Sequence, residues 1–256
     1  MAFTGKVALV TGGASGMGRL AALKLANQGA TVAIVDMNED NLAKVAAEHE
    51  NIHPYVCDVT DLEAVQNLLA QVKTEHGSID RLTHCAAIMP SAPLLDQPID
   101  LINRMMRINY EGTVNMVKSV LPEMRERNQG QIIIFGSIAG SVLAPEIGAY
   151  CATKAATNAF AEVLIRENRD SDVHIMLVCP PMVNTPLIEQ AASTKNIRES
   201  RDAGRLADPE FIVNEVEKGL DKKQEILLPG AEAKILVWLR RHFPGLLWRI
   251  IDASAK

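Results

Sequence analysis

Tyr150 and Lys154 are four residues apart, and the residues from Lys154 onward favour a helix. On a helix, this spacing places both side chains on one face. A free phenol has a pKa of about 10 and is a poor base at neutral pH, but a nearby ammonium stabilises the phenolate. Ser137, at the end of an apolar run thirteen residues before Tyr150, could hold a substrate oxygen. This set predicts proton transfer to or from an oxygen.

A glycine-rich turn with the sequence TGGASGMG, residues 11–18, follows the first apolar run and leads into a helical segment. Gly12, Gly16 and Gly18 allow the backbone to turn sharply and to approach a diphosphate. The N–H groups at the following helix N-terminus bind anions. The turn predicts a dinucleotide site, although glycine-rich turns also serve plain helix packing.

Asp36 ends the second apolar run, 18 residues beyond Gly18. A carboxylate there can accept hydrogen bonds from both hydroxyls of an adenosine ribose, and it would repel a 2′-phosphate. Neither the variable positions of the turn nor Met37 and Asn38 supply a cation for such a phosphate. The sequence therefore predicts NAD rather than NADP as the cofactor. Two alternatives stay open: Asp36 could cap the next helix, and Arg19 is near enough in sequence to bind a 2′-phosphate.

Together these features resemble the short-chain dehydrogenase/reductase family over roughly residues 5–230. The resemblance rests on the TGGASGMG turn and on Asp36, Asp58-Val59, Asn109, Ser137 and Tyr150-x-x-x-Lys154. It implies hydride exchange between a nicotinamide and a carbinol carbon, with no metal required. It also implies a homodimer or homotetramer formed through the helices expected near residues 98–127 and 149–169.

The resemblance implies a role for each catalytic position. Tyr150 would be the acid/base, and Lys154 would lower the pKa of Tyr150 and bind the nicotinamide ribose. Ser137 would position the substrate oxygen, and Asn109 would help to hold a water on a proton relay. The catalytic set implied by the resemblance is therefore Asn109, Ser137, Tyr150 and Lys154.

For the cofactor, the resemblance implies that Asp58 contacts the adenine amino group, with Val59 beside the ring, and that Thr185 meets the carboxamide. The full set of implied cofactor contacts is Gly12, Ser15, Gly16, Met17, Gly18, Asp36, Asp58, Val59, Ala86, Ala87, Tyr150, Lys154, Pro180, Val183 and Thr185.

The chain departs from the family in two places. His84-Cys85-Ala86-Ala87 replaces the usual Asn-Asn-Ala-Gly. A bracing asparagine is therefore missing, and a methyl group lies where glycine normally lets the cofactor approach. Pro181 replaces a frequent glycine and stiffens the chain at the start of a polar segment.

Short β-branched runs alternate with longer amphipathic stretches along residues 6–229. Strands that are apolar along their whole length and separated by helices indicate a parallel sheet covered on both faces. The pattern predicts a doubly wound, Rossmann-type α/β fold of about seven parallel strands, forming one catalytic domain over residues 1–230. Residues 182–207, here called the lid segment, are polar and follow the carboxyl end of a strand. They predict a mobile lid or, alternatively, an ordinary surface excursion.

The composition limits partners and compartment. The chain has 256 residues, 31 acidic against 26 basic, a formal net charge of −5 and no Lys/Arg-rich tract, so nucleic acid is not expected as a partner. Its four cysteines are irregularly spaced, which favours a reduced cytoplasmic setting and no metal site. The N-terminal residues lack the features of a signal peptide.

The residues expected around the catalytic set are mostly apolar and include no evident carboxylate-binding arginine. They are Ile88, Met89, Leu94, Leu95, Ile138, Val142, Leu143, Ile147, Met182, Leu187 and Ile188. They predict a bulky, lipophilic secondary alcohol or ketone as the substrate, unless they only pack the core. Two other functions stay open: an NADP-dependent ketoreductase of a long-chain or lipid substrate, and a catalytically weak NAD-binding protein at a membrane surface.

The tail, residues 231–256, contains both tryptophans of the protein and alternates large apolar residues with cations. Pro244-Gly245 is expected to divide it into two short amphipathic helices, neither long enough to span a bilayer. Tryptophans beside arginines are typical of a helix at a membrane interface, which predicts peripheral membrane contact. The alternative is that these apolar faces cover a second subunit or the substrate cleft.

Overall fold

The computed structural model describes residue 3, residues 5–191 and residues 194–255, and within these the chain forms one seven-stranded parallel sheet. The strands are β1 (Val7–Thr11), β2 (Thr31–Asp36), β3 (Ile52–Val56), β4 (Arg81–His84), β5 (Gln131–Phe135), β6 (His174–Val178) and β7 (Ile226–Leu227). Their order across the sheet is β3-β2-β1-β4-β5-β6-β7. This is the doubly wound sheet that the alternating apolar runs predict.

Eleven α-helices connect and flank the strands in the described part of the chain. They are α1 (Gly16–Asn27), α2 (Glu39–Ala46), α3 (Leu62–His76), α4 (Ile99–Met106), α5 (Gly112–Glu126), α6 (Gly148–Glu167), α7 (Pro186–Glu189), α8 (Lys195–Asp202), α9 (Pro209–Asp221), α10 (Gly230–His242) and α11 (Pro244–Ala255). A short 3₁₀ turn, Ile138–Gly140, follows β5.

β5 shows how the sheet divides the core. Ile132 and Ile134 pack on one face and Ile133 on the other, because side chains alternate along a strand. α3, α5 and α6 cover the first face, and α1, α2 and α9 cover the second. A sheet covered on both faces explains why its central strands are apolar along their whole length.

β1 pairs with β2 on one side and with β4 on the other, so the strand order reverses at β1. The connections that leave β1 and β4 diverge to opposite faces and open a crevice at the carboxyl ends of these strands. The glycine-rich turn follows β1, and the segment from Cys85 to Ala87 follows β4. Both segments therefore border the crevice.

The long helix predicted near residues 98–127 is interrupted by a π-helical turn, Arg107–Glu111, between α4 and α5. Such a turn inserts an extra residue and changes the direction of the side chains that follow, and it is frequent at functional sites. Asn109 lies in this turn and is fully buried. The π-helical turn therefore determines the position of Asn109, one of the predicted catalytic residues.

The lid segment contains α7 and α8, and its two ends meet. The Asn184 N–H donates to the Ala207 carbonyl at 2.9 Å, and the Ala207 N–H donates to the Met182 carbonyl at 2.8 Å. Val183 and Ala207 thereby form an isolated parallel bridge. The lid segment therefore begins and ends at one point of the fold. Residues 192 and 193 lie outside the described part of the chain.

The tail forms α10 and α11, which are separated at Phe243. Pro244 is the first residue of α11, a position where its missing N–H costs no helical hydrogen bond. α11 packs against α8 of the lid segment, and Leu247 on α11 is buried. Across the described residues, no helix has the length and apolar character needed to cross a bilayer.

Candidate active site

The turn after β1 forms a tight backbone cradle. Gly12 and Gly16 have φ of +65° and +51°, a region that side chains with a Cβ rarely adopt. A Cβ on Gly18 would lie 2.2 Å from the Gly12 carbonyl oxygen, so only glycine lets α1 begin this close to the turn. The Ser15 side chain does not cap α1, which leaves the first N–H groups of that helix available to an anion. The cradle fits the diphosphate of a dinucleotide.

Asp36 lies at the end of β2 and lines the same cleft. Its carboxylate accepts hydrogen bonds from the Ala14 N–H at 3.3 Å and the Asn38 N–H at 3.1 Å. The cap of α2 is Asn38, whose side chain accepts from the Asn41 N–H at 2.9 Å. The alternative that Asp36 caps this helix is therefore wrong.

Arg19 is paired with Glu48. The Arg19 Nε donates to one carboxylate oxygen of Glu48 at 2.8 Å, and a terminal nitrogen contacts the other. The ion pair holds the pKa of the Glu48 carboxyl below its ordinary value and raises the pKa of Arg19. Arg19 borders a neighbouring depression rather than the main cleft in the described structure.

The main cleft has a volume of about 440 Å³. It brings together most of the predicted cofactor contacts, namely Gly12, Ser15, Gly16, Met17, Gly18, Asp36, Asp58, Val59, Ala86, Ala87 and Thr185. Four predicted contacts do not line it: Tyr150 and Lys154, which are buried on α6, and Val183 and Pro180. Val183 is buried in the bridge with Ala207, and the Pro180 carbonyl accepts from the Ile138 N–H at 3.2 Å.

Two arginines that the sequence reasoning missed also line the cleft. Arg104 lies on α4 and Arg107 in the π-helical turn, so both precede Asn109 in sequence. Both side chains are exposed. Their i,i+3 spacing just before Asn109 was the available signal. They give the cleft two cations besides its two carboxylates, Asp36 and Asp58.

Tyr150 and Lys154 share one face of α6, as their spacing predicts. Both are nearly buried, at 6% and 4% exposure. The Lys154 Nζ donates to the Phe135 carbonyl at 2.7 Å and lies 5.8 Å from the centre of the Tyr150 ring. Ser137 follows β5 and is buried, with its Oγ accepting from the Ala139 N–H at 3.1 Å. The end of β5 therefore positions Ser137 and anchors Lys154.

Burial sets the protonation state of this pair. It lowers the pKa of Lys154 to about 8. It also raises the pKa of Tyr150 above its ordinary value, while a hydrogen bond with Ser137 acts in the opposite direction. Burial is the largest influence on the pKa of Tyr150, and the Lys154 ammonium is engaged with the Phe135 carbonyl. A neutral Tyr150 is suited to donate a proton to a carbonyl oxygen.

Asn109 connects the loop after β4 to α6. Its Oδ1 accepts from the Ile88 N–H at 2.8 Å, and its Nδ2 donates to the Ile88 carbonyl at 2.9 Å and to the Thr153 Oγ1 at 3.0 Å. The Asn109 carbonyl accepts from the hydroxyls of Thr113 and Thr157 at 2.7 and 3.2 Å. Asn109 therefore fixes the wall of the cleft relative to the helix of Tyr150.

His84 takes over part of the bracing expected from the missing asparagine. The Thr11 Oγ1 accepts from the N–H groups of Cys85 and Ala86 at 3.2 and 3.3 Å and lies 2.8 Å from the His84 Nδ1. A hydrogen bond thus joins the Thr11 hydroxyl to the His84 ring, and the buried Nε2 has no hydrogen-bond partner among the described residues. Burial lowers the pKa of His84 to about 3, so the ring is uncharged at neutral pH. This bond ties β4 to β1.

An apolar cluster, here called the Tyr150 cluster, surrounds the phenol. Its buried members are Met89, Met105, Ala139, Ala149, Tyr150, Cys151, Ile188, Ala191 and Ile197. Ile88, Ile102, Leu143, Ile147, Leu187 and Leu206 pack at its edge. Ile88 and Leu187 also line the main cleft, so the cleft and the Tyr150 cluster are contiguous.

Four of the residues predicted for this pocket lie elsewhere. Leu95 is fully exposed in a surface turn before α4, whereas Leu94, in the same turn, packs against Gly148 at the start of α6 although it is more than half exposed. Ile138 packs against the core beneath α5 and α6, and Met182 is 37% exposed at the base of the lid segment. Val142 is partly buried outside the cluster.

The lid segment is hydrogen-bonded to the loop after β4. The Gln190 Oε1 accepts from the Met89 N–H at 2.8 Å, and the Thr194 Oγ1 donates to the Ser91 Oγ at 2.8 Å. Ile197 adds an apolar contact from α8 to the Tyr150 cluster. In this arrangement the lid segment covers the phenol.

Comparison with known proteins identifies a family. Residues 6–196 match the short chain dehydrogenase family. An uncharacterised oxidoreductase of Mycobacterium bovis is 36% identical over 196 residues, which cover 73% of this chain and 58% of that protein. The dehydrogenase/reductase SDR family member 7B of Mus musculus is 30% identical over 267 residues, covering 98% of this chain and 81% of that protein. The matched part thus spans less than two thirds of the mycobacterial relative.

Solved structures share the fold over nearly the whole chain. A short chain dehydrogenase/reductase from Burkholderia phymatum in complex with NAD has a TM-score of 0.86 at 24% identity, covering 96% of each chain. A short-chain dehydrogenase from Streptomyces avermitilis has a TM-score of 0.81 at 22% identity, covering 98% of this chain and 97% of that one. Since the family match extends over most of the sequence and its relatives reach 30% identity and above, this chain belongs to the short chain dehydrogenase family of oxidoreductases.

Proposed function

We propose that the protein transfers a hydride between NAD and a bulky, lipophilic secondary alcohol or ketone. The observation that carries this proposal is the position of Tyr150, whose phenol is buried in an apolar cluster continuous with the glycine-lined cleft. A proton donor in apolar surroundings beside a dinucleotide cleft is suited to a reacting oxygen on a lipophilic skeleton.

Each residue of the site would have its own role in the proposed reaction. A bound nicotinamide cofactor would supply or accept the hydride. Ser137 would hold the substrate oxygen, and Tyr150 would give that oxygen its proton in reduction or take it in oxidation. Lys154, kept near Tyr150 by its bond to the Phe135 carbonyl, would place positive charge beside the phenol and reach the ribose. Asn109 would act as a positioning residue by fixing Ile88.

The proposed preference for NAD rests on charge at the ribose end of the cleft. Asp36 lines this end, and the nearest cation of the turn, Arg19, is paired with Glu48. A 2′-phosphate would meet the Asp36 carboxylate there. The Burkholderia phymatum structure with the same fold contains NAD.

A second candidate function, an NADP-dependent ketoreductase of a long-chain or lipid substrate, is favoured by one observation. Arg104 and Arg107 line the cleft, and guanidinium groups are good phosphate ligands. They would serve NADP only if they reached the ribose end beside Asp36. Otherwise they would neutralise the diphosphate, which both cofactors carry.

We also propose that the lid segment opens to admit substrate. In the described structure Ile188, Ala191 and Ile197 occupy the space around Tyr150, and Gln190 and Thr194 bind the loop after β4. A bulky substrate would have to displace these apolar side chains. Its own apolar surface would then replace theirs against the cluster, which lowers the cost of opening.

The test is a screen of lipophilic secondary alcohols with NAD and NADP, and of the matching ketones with the reduced cofactors, followed at the nicotinamide absorbance. We expect turnover with NAD(H) that is lost in Tyr150→Phe. The proposal would be wrong if small, charged hydroxy acids were the preferred substrates, or if Tyr150→Phe retained full activity. Preference for NADP would select the second candidate. Sedimentation of the same protein would test the homodimer or homotetramer that the family resemblance implies.

A further inference from the structure

The tail carries an apolar face that is exposed in the described structure. This face, here called the tail patch, consists of Ile235, Trp238, Phe243, Leu246 and Ile250, whose exposures are 60, 54, 52, 51 and 50%. Ile235 and Trp238 are one turn apart on α10, and Leu246 and Ile250 are one turn apart on α11. The rings of Trp238 and Phe243 are 5.6 Å apart, which joins the contributions of the two helices.

Cations accompany the tail patch. Residues 230–255 contain Lys234, Arg240, Arg241 and Arg249 against two acidic residues, although the whole chain has a net charge of −5. Lys234, Arg241 and Arg249 are exposed, and the Arg240 guanidinium lies 5.8 Å from the centre of the Trp248 ring. Large apolar side chains bordered by cations match a surface that is apolar inside and anionic outside.

We propose that the tail patch binds the surface of an anionic lipid bilayer. Trp238 and Phe243 would lie at headgroup depth, and Arg241 and Arg249 would lie against the lipid phosphates. A second copy of the chain fits the patch less well. A two-fold interface would place the patch against itself, and so bring the cations of one tail against those of the other.

The tail patch is linked to the lid segment through α11. α11 packs against α8, and α8 carries Ile197 into the Tyr150 cluster. A docked tail would therefore hold the lid segment close to the bilayer, in which a lipophilic alcohol or ketone accumulates. This consequence rests on the proposed function, whereas lipid binding by the patch does not.

The protein contains a built-in probe for this test. Its two tryptophans, Trp238 and Trp248, both lie in the tail, so tryptophan fluorescence reports on the tail alone. With vesicles of mixed phosphatidylglycerol and phosphatidylcholine, we expect the emission to shift to shorter wavelength and the protein to co-sediment. Salt should weaken both effects, because it screens the attraction between cations and headgroups. Pure phosphatidylcholine vesicles should bind much less.

Paired charge reversals give a matched control. Arg241→Glu with Arg249→Glu, both at exposed positions, should weaken vesicle binding by at least about tenfold. Lys222→Glu with Lys223→Glu changes the net charge equally at two exposed, adjacent positions after α9, and should change binding by less than about twofold. Thermal unfolding of each variant would show that the fold is retained. Trp238→Ala, which leaves the charge unchanged, should also weaken binding.

The proposal is overturned if the protein stays in the supernatant with anionic vesicles, or if both charge-reversal pairs lose binding equally. It is also overturned if the tail variants instead lower the oligomeric mass, since a second copy would then cover the patch. Vesicle binding is measured without cofactor or substrate, and Tyr150→Phe should bind vesicles normally. Failure of lipid binding therefore leaves the proposed oxidoreductase activity standing, and failure of that activity leaves lipid binding standing.

Discussion

Replacing Asp36 by Asn separates the charge of this side chain from its shape. The amide keeps an oxygen that can accept from the Ala14 or Asn38 N–H, as the carboxylate does at 3.3 and 3.1 Å. The turn should therefore keep its conformation. What disappears is the negative charge that would bind the ribose hydroxyls strongly and repel a 2′-phosphate.

The size of the effect follows from two contributions. Hydrogen bonds to a charged group contribute about 1.5–3 kcal/mol. The cleft is open to water, so we expect the lower end, about 1.5 kcal/mol, which is slightly more than tenfold in NAD affinity. Repulsion between a carboxylate and a phosphate about 4 Å apart costs about 1–4 kcal/mol near a protein surface. The unmodified protein should thus prefer NAD by at least about tenfold, and Asp36→Asn should bring the two affinities close together.

Fluorescence titration with NADH and NADPH at fixed ionic strength measures both dissociation constants. Asp40→Asn is the matched control, because it removes one carboxylate from the exposed first turn of α2 without touching the cleft. It should leave the cofactor preference unchanged. Equal affinities in the unmodified protein, or an unchanged preference in Asp36→Asn, would refute the role given to this carboxylate.

Three further predictions concern the catalytic pair and the strand beside it. Tyr150→Phe should lower turnover by at least about a hundredfold while the NADH dissociation constant changes by less than about twofold, as steady-state rates and titration would show. Since Lys154 loses its proton near its lowered pKa of about 8, kcat/KM for ketone reduction should fall as the pH rises through that value, and a flat profile up to pH 10 would contradict this assignment. Buried His84 has its pKa lowered from 6.5 to about 3, so the unfolded chain takes up a proton below pH 6.5 that the folded chain cannot. The free energy of unfolding in urea should therefore fall between pH 7 and pH 5 by about 2 kcal/mol more in the unmodified protein than in His84→Asn.

The fold and the position of Asp36 in the cleft could be predicted because their signals are local. The apolar runs give the strands, and the glycines of the turn and Asp36 at the end of β2 follow in fixed order. A parallel sheet then brings the carboxyl ends of β1 and β2 to one edge. The same logic placed Tyr150 and Lys154 on one face of α6, because helical spacing determines it.

The rest depends on tertiary contacts that side-chain patterns do not encode. Arg104 and Arg107 line the cleft from α4 and from the π-helical turn after it, and exposed arginines on a helix do not show in sequence which of them borders a cleft. Met105 and Ile197 join the Tyr150 cluster from segments more than 40 residues away from Tyr150 in sequence. Leu95 has the same apolar character but is fully exposed.

The bridge between Val183 and Ala207 has a consequence for how this enzyme could change its substrate. Because the ends of the lid segment are paired with each other, the chain between them can differ in length or sequence without shifting β6 or α9 on either side. The entropy of closing a loop grows only slowly with its length, about 0.6 kcal/mol for each doubling. Substrate selectivity can therefore change within this segment without a change in α6, which carries the proposed proton donor Tyr150. Grafting residues 191–206 from a relative keeps the cleft-lining Thr185, Leu187 and Gln190, and should therefore transfer its substrate range and leave cofactor affinity unchanged.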